Sequence, residues 1–154
     1  MMTLCCNVLS ALKGRTLATA ESCTGGGIGA ALTAVPGSSE VYKGGIISYT
    51  NGVKHHLLGV EEELLERLGA VSGPVAEAMA AGARVALEAD VAVSVTGLAG
   101  PGGDAFGNPV GTVFIGYADE KTTVSRQFHF SGSREVVRTQ AVKAALELVL
   151  AYNS

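Results

Sequence analysis

Thr16-Leu17-Ala18-Thr19-Ala20, then Glu21-Ser22-Cys23-Thr24-Gly25-Gly26-Gly27, then Ile28-Gly29-Ala30-Ala31-Leu32-Thr33-Ala34: this stretch decides the fold. The first segment reads as a short strand, the second as a sharp turn, and the third as a helix of small residues. Upstream, Leu4, Val8, Ala11 and Leu12 recur at helical spacing as far as Lys13, and Gly14 stops the helix. Downstream, Pro36-Gly37 turns the chain, Tyr42 to Tyr49 reads as a strand, and Asn51-Gly52 breaks it. Val53 to Leu58 and Glu61 to Leu68 read as short helices. Gly73-Pro74 opens a longer one, with proline suited to the first turn. Its face of Val75, Ala78, Met79, Gly82 and Ala86 is small enough to lie tight on a sheet. Val91 to Val95 has the unbroken apolar run of a strand covered on both faces. After the glycine-proline loop from Thr96 to Gly111, the strands Gly111 to Tyr117 and Thr122 to Phe130 form an antiparallel hairpin around Asp119-Glu120-Lys121. Ser133 caps a last helix with Val137, Ala141, Ala144, Ala145 and Leu148 on one face. Helices alternating with strands predict one α/β domain over residues 1–154, a three-layer αβα sandwich with a mixed, mostly parallel sheet.

Composition narrows the functional classes. The chain has 154 residues, 47% hydrophobic and 16% charged, against about 25% charged in an average domain. Mean hydropathy is +0.34, yet no stretch approaches the roughly 20 apolar residues that span a bilayer. A net charge of −3 argues against a nucleic-acid binder with a broad basic face, but leaves room for a small anion held by a few cations. The 21 glycines, about twice the average share, cluster at 25–29, 44–45, 97–103 and 107–111. Such clusters mark backbone that turns sharply or approaches something closely. Cys5, Cys6 and Cys23 form neither a disulfide framework nor a zinc pattern, which fits a reducing, cytoplasmic setting. Small-residue helix faces and low surface charge fit a homo-oligomer.

The turn at 21–27 holds two nucleophile candidates, the hydroxyl of Ser22 and the thiol of Cys23. Backbone N–H groups at Thr24, Gly25 and Gly26 lie where an oxyanion or phosphate could be held. The plain alternative is that Ser22 or Thr24 only caps the helix. The turn is not a Walker A, GxGxxG or GxSxG sequence. Lys54 is the second candidate. No Asp or Glu occurs between Val41 and Val60. A free lysine has a pKa near 10.4, which burial lowers and a carboxylate partner restores. Lys54 is therefore a candidate general base for a serine, set against the usual fate of a solvated surface lysine. Adjacent His55 and His56 face about 100° apart on a helix, a poor metal geometry. Ser10-Ala11-Leu12-Lys13 matches an SxxK pattern but lacks its partner motifs. The loop from Thr96 through Gly97 and Gly100 follows an apolar strand, where α/β sheets bind ligands. Arg134 and Arg138 share a face of the last helix. Arg134 lies in its first turn, where a cation opposes the dipole and so points to an anion, unless Glu135 simply matches the pair.

Several of these segments occur together in one known order. Thr19-Ala20-Glu21-Ser22-Cys23-Thr24-Gly25-Gly26, Pro36-Gly37-Ser38-Ser39, Gly45 to Lys54, Val71-Ser72, Thr96 to Gly103 and Pro109-Val110-Gly111-Thr112-Val113 give a chain that resembles the CinA carboxy-terminal domain family, the nicotinamide-mononucleotide amidohydrolases. The resemblance covers roughly residues 8–150. It implies hydrolysis of the carboxamide of nicotinamide mononucleotide to nicotinate mononucleotide and ammonia, without cofactor or metal, by a stand-alone deamidase. It maps the nucleophile to Ser22 and the family's lysine and tyrosine to Lys54 and Tyr49. The expected chemistry has Ser22 attacking the amide while Lys54, directly or through Tyr49, takes its proton. The substrate phosphate is expected among the 97–103 loop, Ser38, Ser39 and Arg134 or Arg138. Where relatives often have lysine before Pro-Val-Gly, this chain has Asn108. The competing readings are a Cys23-dependent amidohydrolase and a non-catalytic pyridine-nucleotide-binding regulatory module.

Overall fold

The computed structural model describes residues 1–154. Its strands are β1 (Leu17–Glu21), β2 (Tyr42–Ile47), β3 (Val91–Gly97), β4 (Thr112–Ala118) and β5 (Thr123–His129). They form one sheet in the order β2-β1-β3-β4-β5. β1 pairs in parallel with both β2 and β3, whereas β3–β4 and β4–β5 are antiparallel. Four strands therefore point one way and β4 the other, a mixed sheet as expected. The sequence reading placed antiparallel pairing only in the last hairpin. The long loop after β3 also returns the chain alongside its own strand, so β3–β4 is antiparallel too.

The helices are α1 (Met2–Ala11), α2 (Gly27–Thr33), α3 (Asn51–Leu58), α4 (Glu62–Leu68), α5 (Gly73–Ala86) and α6 (Arg134–Asn153). α1, α2 and α6 cover one face of the sheet, and α3, α4 and α5 cover the other. The first face buries Val8, Leu12, Ile28, Leu32 and Leu146 against Val93 and Ile115. The second packs Leu58, Leu65, Val75 and Met79 against Ala18, Ala20 and Ala92. Each large aliphatic side chain taken from water contributes roughly 1.5–3 kcal/mol, so the two clusters hold the layers together. With so few aromatics, this core is built by close approach of small residues.

Side-chain caps set where three helices start. The hydroxyls of Thr50, Ser72 and Ser133 accept the N–H of Val53, Val75 and Val136. The Thr50 cap starts α3 two residues before the predicted Val53, so Asn51-Gly52 forms its first turn instead of a break.

Small residues bring α5 against its neighbours. A Cβ on Gly82 would stand 1.9 Å from the carbonyl oxygen of Leu58, and one on Gly116 of β4 would stand 2.2 Å from that of Ala76. Both neighbours are backbone and cannot swing aside. Gly82→Ala is expected to cost about 3 kcal/mol of stability in urea unfolding. Gly52→Ala has open space around it and lies in a helix, so it should gain about 0.5 kcal/mol. Equal stability of the two variants would contradict this packing.

Candidate active site

β1 sits between β2 and β3, although the chain visits β2 before β3. The connection from β1 leaves over one face of the sheet, and the connection from β2 returns over the other. This reversal opens a crevice at the carboxyl ends of β1 and β3, the position where open α/β sheets bind ligands. A cleft of about 340 Å³ lies there. Ser22 and Cys23 border it from the end of β1, and Tyr49, Thr50, Asn51 and Lys54 from the β2–α3 junction. Ala70 and Val71 line it from the α4–α5 junction, Thr96 to Gly100 and Gly102 from the end of β3, and Arg134 from α6.

Lys54 is 1% exposed. Its Nζ donates to the carbonyl oxygen of Ser48 at 2.7 Å and lies 3.1 Å from Ser22 Oγ. No carboxylate pairs with it; the two ion pairs of the molecule join Arg15 to Glu120 and His55 to Glu62. Burial pulls its pKa from the ordinary lysine value down to about 8. The neutral fraction at pH 7 is then about one in ten, against about one in 3,000 for a free lysine. The residue is thus neither solvated nor ion-paired, and its amine meets the serine hydroxyl directly.

Tyr49 borders the cleft, but its hydroxyl is bonded elsewhere: it accepts from Arg134 Nη2 at 3.3 Å. Arg134 Nη1 also donates to the Gly100 carbonyl. Arg134 therefore ties the β3 loop and the β2–α3 junction together across the mouth of the cleft. Cys23 is buried beside Ser22, and burial pushes its thiol up to about 11. At neutral pH it stays protonated and weakly nucleophilic.

A residue that the sequence reading left unassigned organises the turn. Glu21 is 2% exposed, and its carboxylate accepts from Thr24 Oγ1, Ile28 N and Gly29 N at 2.6–3.0 Å. The carboxylate thereby occupies the start of α2, so those N–H groups are not free for a ligand. Its signal in the sequence is an acidic residue at the end of an apolar strand, with a turn and a helix immediately after it. Gly25 and Gly26 have φ of 58° and 102°, which any side chain would strain. Gly25 N–H is spent on Ser22 O, while the N–H groups of Cys23, Thr24 and Gly26 donate to no backbone carbonyl. Of these residues only Cys23 borders the cleft.

Other predicted residues fall away from the cleft. Thr24 faces the opposite side of the turn, toward α6. Arg138 does not enter the cleft: its guanidinium donates to the carbonyls of Cys23 and Thr24 and so props the turn from behind. Ser38 and Ser39 form a 3-10 turn that precedes β2. Because β2 runs parallel to β1, that turn lies at the end of the sheet away from Ser22. Thr96 lines the cleft but spends its hydroxyl on the Ala70 carbonyl. Asn108 lies outside the cleft wall; its amide donates to Val71 O and to Asp104 Oδ2. No three His, Cys, Asp or Glu side chains come together as a metal-holding group. No helix is long and apolar enough to cross a membrane.

If the Glu21 carboxylate holds the turn, Glu21→Gln replaces an all-acceptor group by one whose amide faces an N–H donor. We expect a loss of about 2 kcal/mol in thermal or urea unfolding. An unchanged melting temperature would refute the capping role.

Comparison with known proteins gives one consistent result. A family model described as the CinA C-terminal domain matches residues 3–152. A CinA-like protein of Thermosynechococcus vestitus is 51% identical over 138 residues, which cover 88% of this chain and 33% of that protein. The chain thus spans about a third of the length of the curated relatives it matches. Among solved structures, the competence/damage inducible protein CihA from Agrobacterium tumefaciens superposes with a TM-score of 0.95 at 38% identity, covering 99% of this chain and 95% of that one. A competence-damaged protein (CinA) superfamily protein from Enterobacter cloacae gives 0.95 at 35% identity, covering 98% and 90%.

Proposed function

The chain belongs to the CinA C-terminal domain family, and we propose that it hydrolyses the carboxamide of a pyridine mononucleotide, nicotinamide mononucleotide by the family resemblance. The observation that carries this reading is the contact of 3.1 Å between Lys54 Nζ and Ser22 Oγ, in a buried setting without a carboxylate. A hydroxyl is a weak nucleophile until a base takes its proton, and a desolvated lysine can supply that base near neutral pH.

In the proposed reaction Ser22 Oγ attacks the amide carbon while its proton passes to Lys54 Nζ. The developing oxyanion would be met by the Cys23 N–H, which lies at the cleft edge and donates to no backbone carbonyl. Lys54 then returns the proton to the leaving nitrogen, ammonia departs, and water opens the acyl-enzyme by the same route. The direct Lys54–Ser22 contact supports proton transfer without Tyr49 as an intermediary. Arg134 borders the cleft and no Asp or Glu does, which suits a substrate bearing a phosphate.

The test is ammonia release from nicotinamide mononucleotide, with free nicotinamide as control. Ser22→Ala and Lys54→Arg should each lower kcat at least about 1,000-fold, since arginine stays protonated and cannot act as a base. Cys23→Ser should retain activity within about tenfold. Loss of turnover in the cysteine variant alone would assign the chemistry to the thiol, and tight nucleotide binding without ammonia release would indicate a binding module.

Lys54 must be neutral to accept a proton. Because its pKa is lowered to about 8, kcat/KM should rise about tenfold per pH unit below pH 8 and level off above it. A profile flat from pH 6 to 9 would exclude Lys54 as the base.

A further inference from the structure

Ser48 holds Lys54 with one of its oxygens and leaves the other idle. Its carbonyl accepts from Lys54 Nζ at 2.7 Å, and its own N–H donates to Glu21 O. The residue is 0% exposed, yet its Oγ has no hydrogen-bond partner, the one buried side-chain polar atom in the molecule so placed. An unpartnered buried hydroxyl costs stability, whereas alanine would fill the same space at no such cost. Ser48 does not border the cleft, so substrate contact does not account for the hydroxyl.

Hydrogen-bond counting at Nζ gives the hydroxyl a role. A neutral amine has two N–H donors and a lone pair, and an ammonium has three donors and no lone pair. In the neutral state the lone pair faces Ser22 O–H and one donor is held by the Ser48 carbonyl. When the Ser22 Oγ–H bond breaks, its electron pair forms the new bond to the substrate carbon and its proton forms a third N–H on Lys54. Ser22 Oγ has then become an ester-type oxygen, a poorer acceptor, just as Nζ acquires full charge in a buried place. We propose that the Ser48 hydroxyl rotates about its single side-chain bond to accept a hydrogen from the Lys54 ammonium, making Ser48 a positioning residue for the base. Such rotation moves between staggered rotamers and leaves the backbone in place.

No carboxylate stands ready for this purpose. The titratable and charged groups around Lys54 are the protonated Cys23 thiol from the β1 turn, Tyr49 from the same β2–α3 junction, Arg134 from α6 and His55 on its own helix. The neighbouring carboxylates are engaged: Glu21 with the start of α2, Glu62 with His55, and Glu77 with Ser125. Ser48 Oγ is the buried side-chain acceptor left without a partner.

This inference rests on Lys54 acting as a base, so its test includes a readout that needs no turnover. The titration of Lys54 is followed by the 13Cε shift in labelled protein, for the parent and for Ser48→Ala. Loss of an acceptor for the charged form should lower the Lys54 midpoint by about one pH unit, with the melting temperature unchanged or raised. In the ammonia assay kcat should fall about tenfold at constant KM, and the acid limb of kcat/KM should move to lower pH by the same interval. An unmoved Lys54 midpoint overturns the proposal. A shifted midpoint in a protein that releases no ammonia supports the Ser48–Lys54 contact and tells against the amidohydrolase reading instead.

Discussion

Lys54 lies in the interior with a serine hydroxyl and a backbone carbonyl as its partners and no carboxylate. Everything else at the cleft is arranged around that desolvated amine. Burying an ammonium without a counter-ion is costly, and the molecule meets the cost by letting the proton leave more easily, with a pKa near 8. The sign of the linkage follows. Between about pH 8 and the ordinary lysine value the unfolded chain holds a proton that the folded chain has released, so stability rises with pH across that interval. Below it the folded state bears the full penalty of the buried charge. The same desolvation that makes the amine useful as a base is a burden on the fold at physiological pH, the pattern expected of a functional group rather than of a structural one.

The sheet topology explains how two residues 32 positions apart come into hydrogen-bond contact. Ser22 follows β1 directly, and Lys54 lies in the first helix after β2, the strand parallel to β1. Side by side, the two strands deliver the turn and the helix to the same edge, while β3 on the other side supplies the opposite wall. The turn must be rigid for the contact to hold, and it is fixed from two directions. Glu21 ties it forward to the start of α2, and Arg138 ties it backward to α6 through two carbonyls. A buried carboxylate and a part-buried guanidinium thus hold the turn that carries Ser22.

The fold was largely legible in the sequence because its signals are local: periodicity, capping residues and glycine-proline punctuation. The β3–β4 pairing was not, since a 14-residue loop between strands fits either a crossover or a return. Ser22 and Lys54 stood out for their context: a nucleophile in a turn after a strand, and a lysine in a run without acids. The arginines and paired serines misled for one common reason. Spacing shows which residues share a helix face or a turn, but not which end of a sheet that turn reaches or whether a guanidinium is already bound to backbone. Ser38 and Ser39 precede their strand, and in a parallel pair that alone puts them far from the end where Ser22 lies. Glu21 was overlooked because acidic residues are normally solvated, and only the fold shows that its oxygens meet α2.

Asn108 braces the loop behind the cleft wall. A lysine at this position could extend toward solvent or ligand, whereas the asparagine amide is short and fully engaged, with Val71 O on one side and Asp104 on the other. Asp104 in turn accepts from the N–H groups of Phe106 and Asn108, closing the loop on itself. Phe106 lies so close over Gly69 that a Cβ there would be 2.5 Å from its ring. Asn108 thus joins Val71, which lines the cleft, to Asp104 of the β3–β4 loop, and Thr96 makes a second tie to the α4–α5 junction through the Ala70 carbonyl. Position 108 thus acts as a brace between two loops. The two basic side chains that border the cleft are Lys54, in its depth, and Arg134, at the mouth, where the guanidinium spans Gly100 and Tyr49.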